Sequence, residues 1–210
     1  MNKPVAKSSE KERLSTFERI ERMHPFQTII YLAMFGSGLI FLFFVIAFLL
    51  SQPDGLVFNR FYIPKAFIAS SFAILISSYT VSRLRLFYVE DNIRQLLIYT
   101  GATLILGLVF TFLQVLGWKE LDDMGIKFNG LPSGSFLYII SGIHLVHLLG
   151  ALIFAISLFL RVLKIAVDPV DTLIFATNPF DQLKIRLFAT YWHFMDALWI
   201  ILFFVFLLSF

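Results

Sequence analysis

Tyr191-Trp192-His193-Phe194-Met195-Asp196-Ala197-Leu198-Trp199 sits inside an apolar run from about Leu187 to Phe210. That placement of a histidine and a carboxylate decides how the chain is read. A helix that crosses a bilayer needs about 20 mainly apolar residues, and the run supplies that length. An aspartate there costs about 2.5–3.5 kcal/mol on insertion scales, so it is expected to face protein or water and to have a partner.

Composition agrees with a membrane setting. The chain has 210 residues, is 59% hydrophobic and carries 26 Phe. Its charged share is 15%, against roughly 25% in soluble domains. There is no Cys, which removes disulfides, thiolate metal sites and a cysteine nucleophile together. The net charge of +3 needs no polyanionic partner, because an excess of Lys and Arg on one side of a membrane accounts for it, so nucleic acid is not implied. No Gly-rich phosphate loop, serine-nucleophile constellation or paired carboxylates are present, which leaves hydrolysis and phosphoryl transfer without their parts.

Working back from the last run, five segments are long and apolar enough to span. They run from about Gln27 to Leu50, Lys65 to Val81, Gln95 to Leu116, Ser135 to Leu163 and Leu187 to Phe210. The expected fold class is therefore all-α: a polytopic bundle of five transmembrane helices over residues 26–210, preceded by a cytoplasmic segment over 1–25. That leading segment mixes six basic residues with Glu10, Glu12, Glu18 and Glu21, which suits neither a cleavable signal nor a transit peptide. Arg83, Arg85, Glu90, Asp91 and Arg94 are expected in a charged loop, and the loop from Lys164 to Arg186 is expected along the membrane surface or against another subunit. With the amino terminus inside, thirteen Lys and Arg fall on inner segments and four (Arg60, Lys65, Lys119, Lys127) on outer ones. This bias predicts a cytoplasmic amino terminus and an outside, periplasmic carboxyl terminus. No internal repeat or pair of broken helices suggests a secondary transporter.

The polar residues inside the spans are the candidate site. Ser141-Gly142-Ile143-His144-Leu145-Val146-His147 puts His144 and His147 on one face of the fourth helix, and Gly150 with Ala151 continues it as a small-residue stripe for close helix approach. At about 1.5 Å per residue, Asp196 falls within a turn of His147 and His144, so a histidine–aspartate hydrogen bond between the last two helices is expected. His144, His147, His193, Asp196 and Gln114 form the predicted interhelical polar cluster. Ser70, Ser71, Ser77 and Ser78 read as a close-packing face of the second helix. Trp118, Tyr191, Trp192 and Trp199 are the expected lipid or interface contacts. A different reading makes the chain a small membrane protein that binds haem or a metal through His144, His147 and His193.

The two motifs together, Ser141 to His147 and Tyr191 to Trp199, resemble those on the last two helices of subunit III of the haem-copper terminal oxidases. Phe110-Thr111-Phe112-Leu113-Gln114 leading to Trp118-Lys119-Glu120 adds to the resemblance, which covers about residues 26–210. Members commonly have seven spans, and this chain resembles the five-helix bacterial form. It departs at Ser37-Gly38, where relatives have Ser-Glu, and at Gly117, where many have Glu.

The resemblance implies a non-catalytic subunit of a cytochrome c or quinol oxidase complex in a bacterial inner membrane. In that setting it would pack directly on subunit I, with subunit II and other respiratory chains nearby. It would hold phospholipid and support stability and proton uptake during reduction of oxygen to water. Haems and copper would belong to partner subunits, with no cofactor, metal or catalytic residue in this chain. The similar subunit of a nitric oxide reductase stays open beside it.

Overall fold

The structure, a computed structural model, describes residues 24–51, 63–130, 132–167, 172, 175 and 178–209. Apart from His24 and Pro25, the expected cytoplasmic lead lies outside the described residues, as does much of the expected surface loop before Asn178. Five helices are described: α1 (Pro25–Leu50), α2 (Lys65–Val89), α3 (Ile93–Asp123), α4 (Pro132–Ile165) and α5 (Pro179–Ser209). All five are long and apolar enough to cross a membrane, and no strand occurs among the described residues. The shortest has 25 residues, or about 37 Å at 1.5 Å per residue, more than the roughly 30 Å hydrocarbon layer.

Each helix outruns its apolar stretch, because hydropathy marks the hydrocarbon whereas caps mark where the backbone ladder stops. α2 continues from Val81 to Val89, so Arg83 and Arg85 stand on a helix and not in the expected loop. Asp91 takes the left-handed conformation that ends it (φ 53). Asn92 N–H donates to Phe87 O and Asp91 N–H to Tyr88 O, the paired bonds that close a helix carboxyl end. α3 continues past Leu116 to Asp123 and ends the same way at Gly125 (φ 84), with Ile126 N–H donating to Leu121 O. α5 begins at Pro179, eight residues before Leu187, because Asn178-Pro179-Phe180-Asp181 is a start signal: Asn178 Oδ1 accepts from Phe180 N–H and proline suits the first turn. α2 has no side-chain cap of its own. Glu120 at the end of α3 accepts instead from Ala66 N–H, at 3.3 Å.

α2, α3, α4 and α5 close a four-helix ring in which each packs on its two neighbours, and α1 lies outside against α4 and α5. α1 buries only Ser37, Phe41 and Phe48 and leaves Leu32, Phe35 and Phe43 exposed, a surface suited to lipid. α2 is the most enclosed, with Ser70, Ser71, Ala73, Ser77 and Thr80 turned inward. Small side chains there let neighbouring backbones approach, as packing in lipid requires.

The close approach expected at Gly150 occurs elsewhere. A Cβ on Gly150 would meet nothing within 4 Å, whereas one on Gly107 would lie 2.8 Å from the Trp192 ring and 2.9 Å from Leu152. A Cβ on Gly117 would collide with the Phe67 ring. The tight positions are on α3, inside the ring, and Gly150 faces out of it.

Candidate functional site

Serine hydroxyls on α2 organise the interior. Each donates to a carbonyl one turn back on its own helix: Ser70 and Ser71 to Phe67 O, Ser77 to Ile74 O. This uses the hydroxyl hydrogen and leaves the oxygen lone pairs free to accept from other helices. Ser70 Oγ accepts from Gln114 Nε2 on α3 at 2.9 Å. Ser71 Oγ accepts from Trp199 Nε1 at 3.0 Å and Ser77 Oγ from Trp192 Nε1 at 3.1 Å, both on α5. On α4, Ser141 donates to Leu137 O and accepts from Trp118 Nε1 at 2.9 Å. All three tryptophans of the chain thus spend the indole N–H on a serine of another helix.

This corrects the expectation of outward-facing tryptophans. Trp192 and Trp199 are 1% and 0% exposed and lie in the core, since an indole N–H in lipid lacks an acceptor and the serine oxygens supply one. Trp118 is partly buried. Tyr191, half-buried, donates its hydroxyl to the backbone carbonyl of His147 at 3.2 Å, tying α5 to α4.

The histidines and Asp196 do not form the expected pair between α4 and α5. His144 is fully buried, with neither ring nitrogen hydrogen-bonded, among the rings of Trp199, Phe110 and Phe41 at 5.4, 5.7 and 6.1 Å. His147 donates from Nδ1 to Ile143 O on its own helix at 2.8 Å. Asp196 finds its neighbour one turn back instead: its Oδ2 is 3.8 Å from His193 Nδ1, and neither carboxylate oxygen has a hydrogen-bond partner. The reason is rotational. Trp192 and Trp199 claim the ring interior, which turns His193 toward α2 and away from α4. There its Nδ1 lies 2.9 Å from Ser78 Oγ and its Nε2 3.3 Å from Ser82 Oγ.

So the predicted cluster divides into three places. Gln114 bonds α3 to α2, His144 and His147 stand against the Phe41 ring, and His193, with Asp196 beside it, meets two α2 serines on the α2–α5 side. Among the described residues no three His, Cys, Asp or Glu converge as a metal-binding group. His144, His147 and His193, the residues of the haem or metal reading, form no such group.

A clasp between α4 and α5 does exist, made by residues not singled out from the sequence. Arg161 Nη2 on α4 donates to Asp181 Oδ2 on α5 at 2.6 Å, Asn178 Nδ2 donates to the same oxygen at 2.9 Å, and Lys184 Nζ is 3.7 Å from Oδ1. Asp181 is 1% exposed. Its signal was the Asn-Pro-x-Asp start of α5, where the residue at the third helical position reaches back to the cap. Next to it, Tyr88 at the end of α2 donates to the carbonyls of Phe175 and Asn178.

No protein-family model matches the chain. Curated proteins do. The chain is 26% identical over 134 residues to the "Probable quinol oxidase subunit 3" of Staphylococcus aureus (strain USA300), a match covering 63% of this chain and 61% of that protein. It is 26% identical over 133 residues to the protein of the same description from Staphylococcus saprophyticus, again covering 63% and 61%. The aligned stretch thus spans about 61% of the length of these relatives. Over that stretch the chain is distantly homologous to quinol oxidase subunit 3, and its five apolar helices together with that homology make it a multi-pass membrane protein.

Proposed function

We propose that the chain is the subunit III of a haem-copper terminal oxidase: an integral-membrane subunit that carries no redox centre and packs on the catalytic subunit. The observation that carries this is the pair of motifs at Ser141–His147 and Tyr191–Trp199, together with the distant homology to quinol oxidase subunit 3. The names of those relatives favour quinol over cytochrome c as the donor to the complex. The Lys and Arg distribution supports a cytoplasmic amino terminus in a bacterial inner membrane.

The internal chemistry supports a scaffold role. The serine–tryptophan bonds and the Asp181 clasp hold helices in register. The intramembrane histidines, in turn, are spent on packing, a backbone carbonyl or serines. In this reading partner subunits hold the haems and copper, oxygen is reduced to water there, and this chain supports stability, lipid retention and proton uptake.

The test is purification of the tagged chain from native membranes in mild detergent, with optical spectra and mass spectrometry. The expected result is copurification with a larger haem-containing chain and no Soret band from this chain once separated. A Soret band that stays with the isolated chain would overturn the reading.

A further inference from the structure

Two arginines from different helices share one cavity. Arg85, near the carboxyl end of α2, and Pro179, Gln182, Leu183 and Arg186, on the first turns of α5, line a space of about 270 Å³. Residues 179, 182, 183 and 186 follow the three-to-four spacing of one helix stripe, so a single face of α5 forms that wall. The volume has room for a tetrahedral oxyanion with several waters around it. Both walls are tied down. Tyr88, three residues beyond Arg85, donates to the carbonyls of Phe175 and Asn178 ahead of α5, while Arg161 and Asn178 hold Asp181 in the first turn of α5.

The charges around this cavity are unbalanced. Asp181 is taken up by Arg161 and Asn178, with Lys184 at 3.7 Å, and Arg83 stands over the Tyr79 ring at 5.1 Å. Arg186 donates to the Gln27 amide oxygen on α1 at 3.4 Å, and among the described residues neither Arg85 nor Arg186 has a carboxylate within 4 Å. Two like charges lining one cavity repel each other, and an anion between them converts that repulsion into attraction. Each guanidinium presents a planar fork of donors, a geometry that matches the oxygens of a phosphate.

The level of the cavity says which phosphates reach it. Arg85 lies four residues past Val81, about 6 Å beyond the apolar part of α2, and Arg186 lies one residue before Leu187, where the apolar run of α5 starts. That is the depth of lipid headgroups, on the side whose excess of Lys and Arg attracts anionic lipid. We infer that the Arg85–Arg186 cavity binds a phosphate group, carried by an anionic phospholipid of that leaflet or by a free phosphate in the adjoining water. The inference rests on the proposed function only in giving its lipid retention a site; the cavity and its arginines belong to the chain whatever complex it joins.

The experiment uses the full chain, purified in mild detergent with the chains that accompany it and washed free of lipid. One arm titrates dioleoyl phosphatidylglycerol, read by native mass spectrometry, and the other inorganic phosphate, read by calorimetry. The expected result is saturable binding that weakens about tenfold or more with Arg85→Gln or Arg186→Gln and less than about twofold with Arg83→Gln. Lipid binding that inorganic phosphate does not displace identifies the lipid as the source, and phosphate binding that displaces the lipid identifies free phosphate; each upholds the site. All three arginines are exposed, so each variant is expected to keep the parent's melting temperature, which separates loss of the site from loss of the fold. Binding of neither ligand, binding that ignores both cavity substitutions, or a loss as large from Arg83→Gln would overturn the inference. Copurifying chains free of haem would sink the oxidase reading and leave the phosphate site intact.

Discussion

Arg161 Nη2 stands 2.6 Å from Asp181 Oδ2, joining the carboxyl end of α4 to the first turn of α5 across a buried carboxylate. Arg161 is half exposed, and Lys184 reaches only to 3.7 Å. Replacing Arg161 with Met leaves the buried charge to Asn178 and Lys184. The expected loss is about 2–3 kcal/mol, between the values for exposed and fully buried pairs. Lys184→Met is expected to cost less than about 1 kcal/mol. Thermal unfolding of the purified chain in detergent measures both, and equal shifts would contradict the ranking.

Gly117 is the tightest point between α2 and α3. Gly117→Ala must displace the Phe67 ring, at an expected cost of about 1–3 kcal/mol. Phe67→Leu in the same chain should recover part of that cost, because it removes the obstructing ring. Gly150→Ala, with nothing to meet, should stay within about 0.5 kcal/mol of the parent. Additive losses from Gly117→Ala and Phe67→Leu would show that the two residues do not compete for one space.

The Trp199–Ser71 bond invites a double-mutant cycle. Trp199→Phe with Ser71→Ala should reveal a coupling of about 0.6–2 kcal/mol, the range for hydrogen bonds between helices in a membrane. Ser70→Ala with Trp199→Phe should show much less, since Ser70 accepts from Gln114. A coupling as large for Ser70 would assign the indole to the wrong serine.

His144 has no hydrogen bond to lose. His144→Phe keeps a ring among Trp199, Phe110 and Phe41 and removes two unsatisfied nitrogens, so stability is expected to hold or rise. The absorbance of any copurifying haem should be unchanged. A bleached spectrum in that variant would revive ligation by His144.

Five spanning helices were legible because about 20 apolar residues in a row have few other uses, and the termini Leu50 and Lys65 match the helix ends found. The overruns were not. Arg83 and Arg85 read as loop because charge looks like water, yet the α2 ladder runs on to its cap at Asp91. Asp181 was passed over for the same reason, as one charge in a polar connection, although the Asn178-Pro179 start beside it was visible. The α2 serines were recognisable as a packing face, but the role of Ser71 and Ser77 as acceptors for two indoles depends on which helix lies opposite.

Residue order alone determined that this chain is a helical membrane bundle and that His144, His147, His193 and Asp196 sit within its spans, because segment length and the cost of burying polar groups are local properties. Which of them meet was decided only by tertiary structure. A helix's rotation about its axis is set by all its neighbours at once, and on α5 the two large tryptophans take the interior and direct His193 to the serines of α2 instead of directing Asp196 to the histidines of α4.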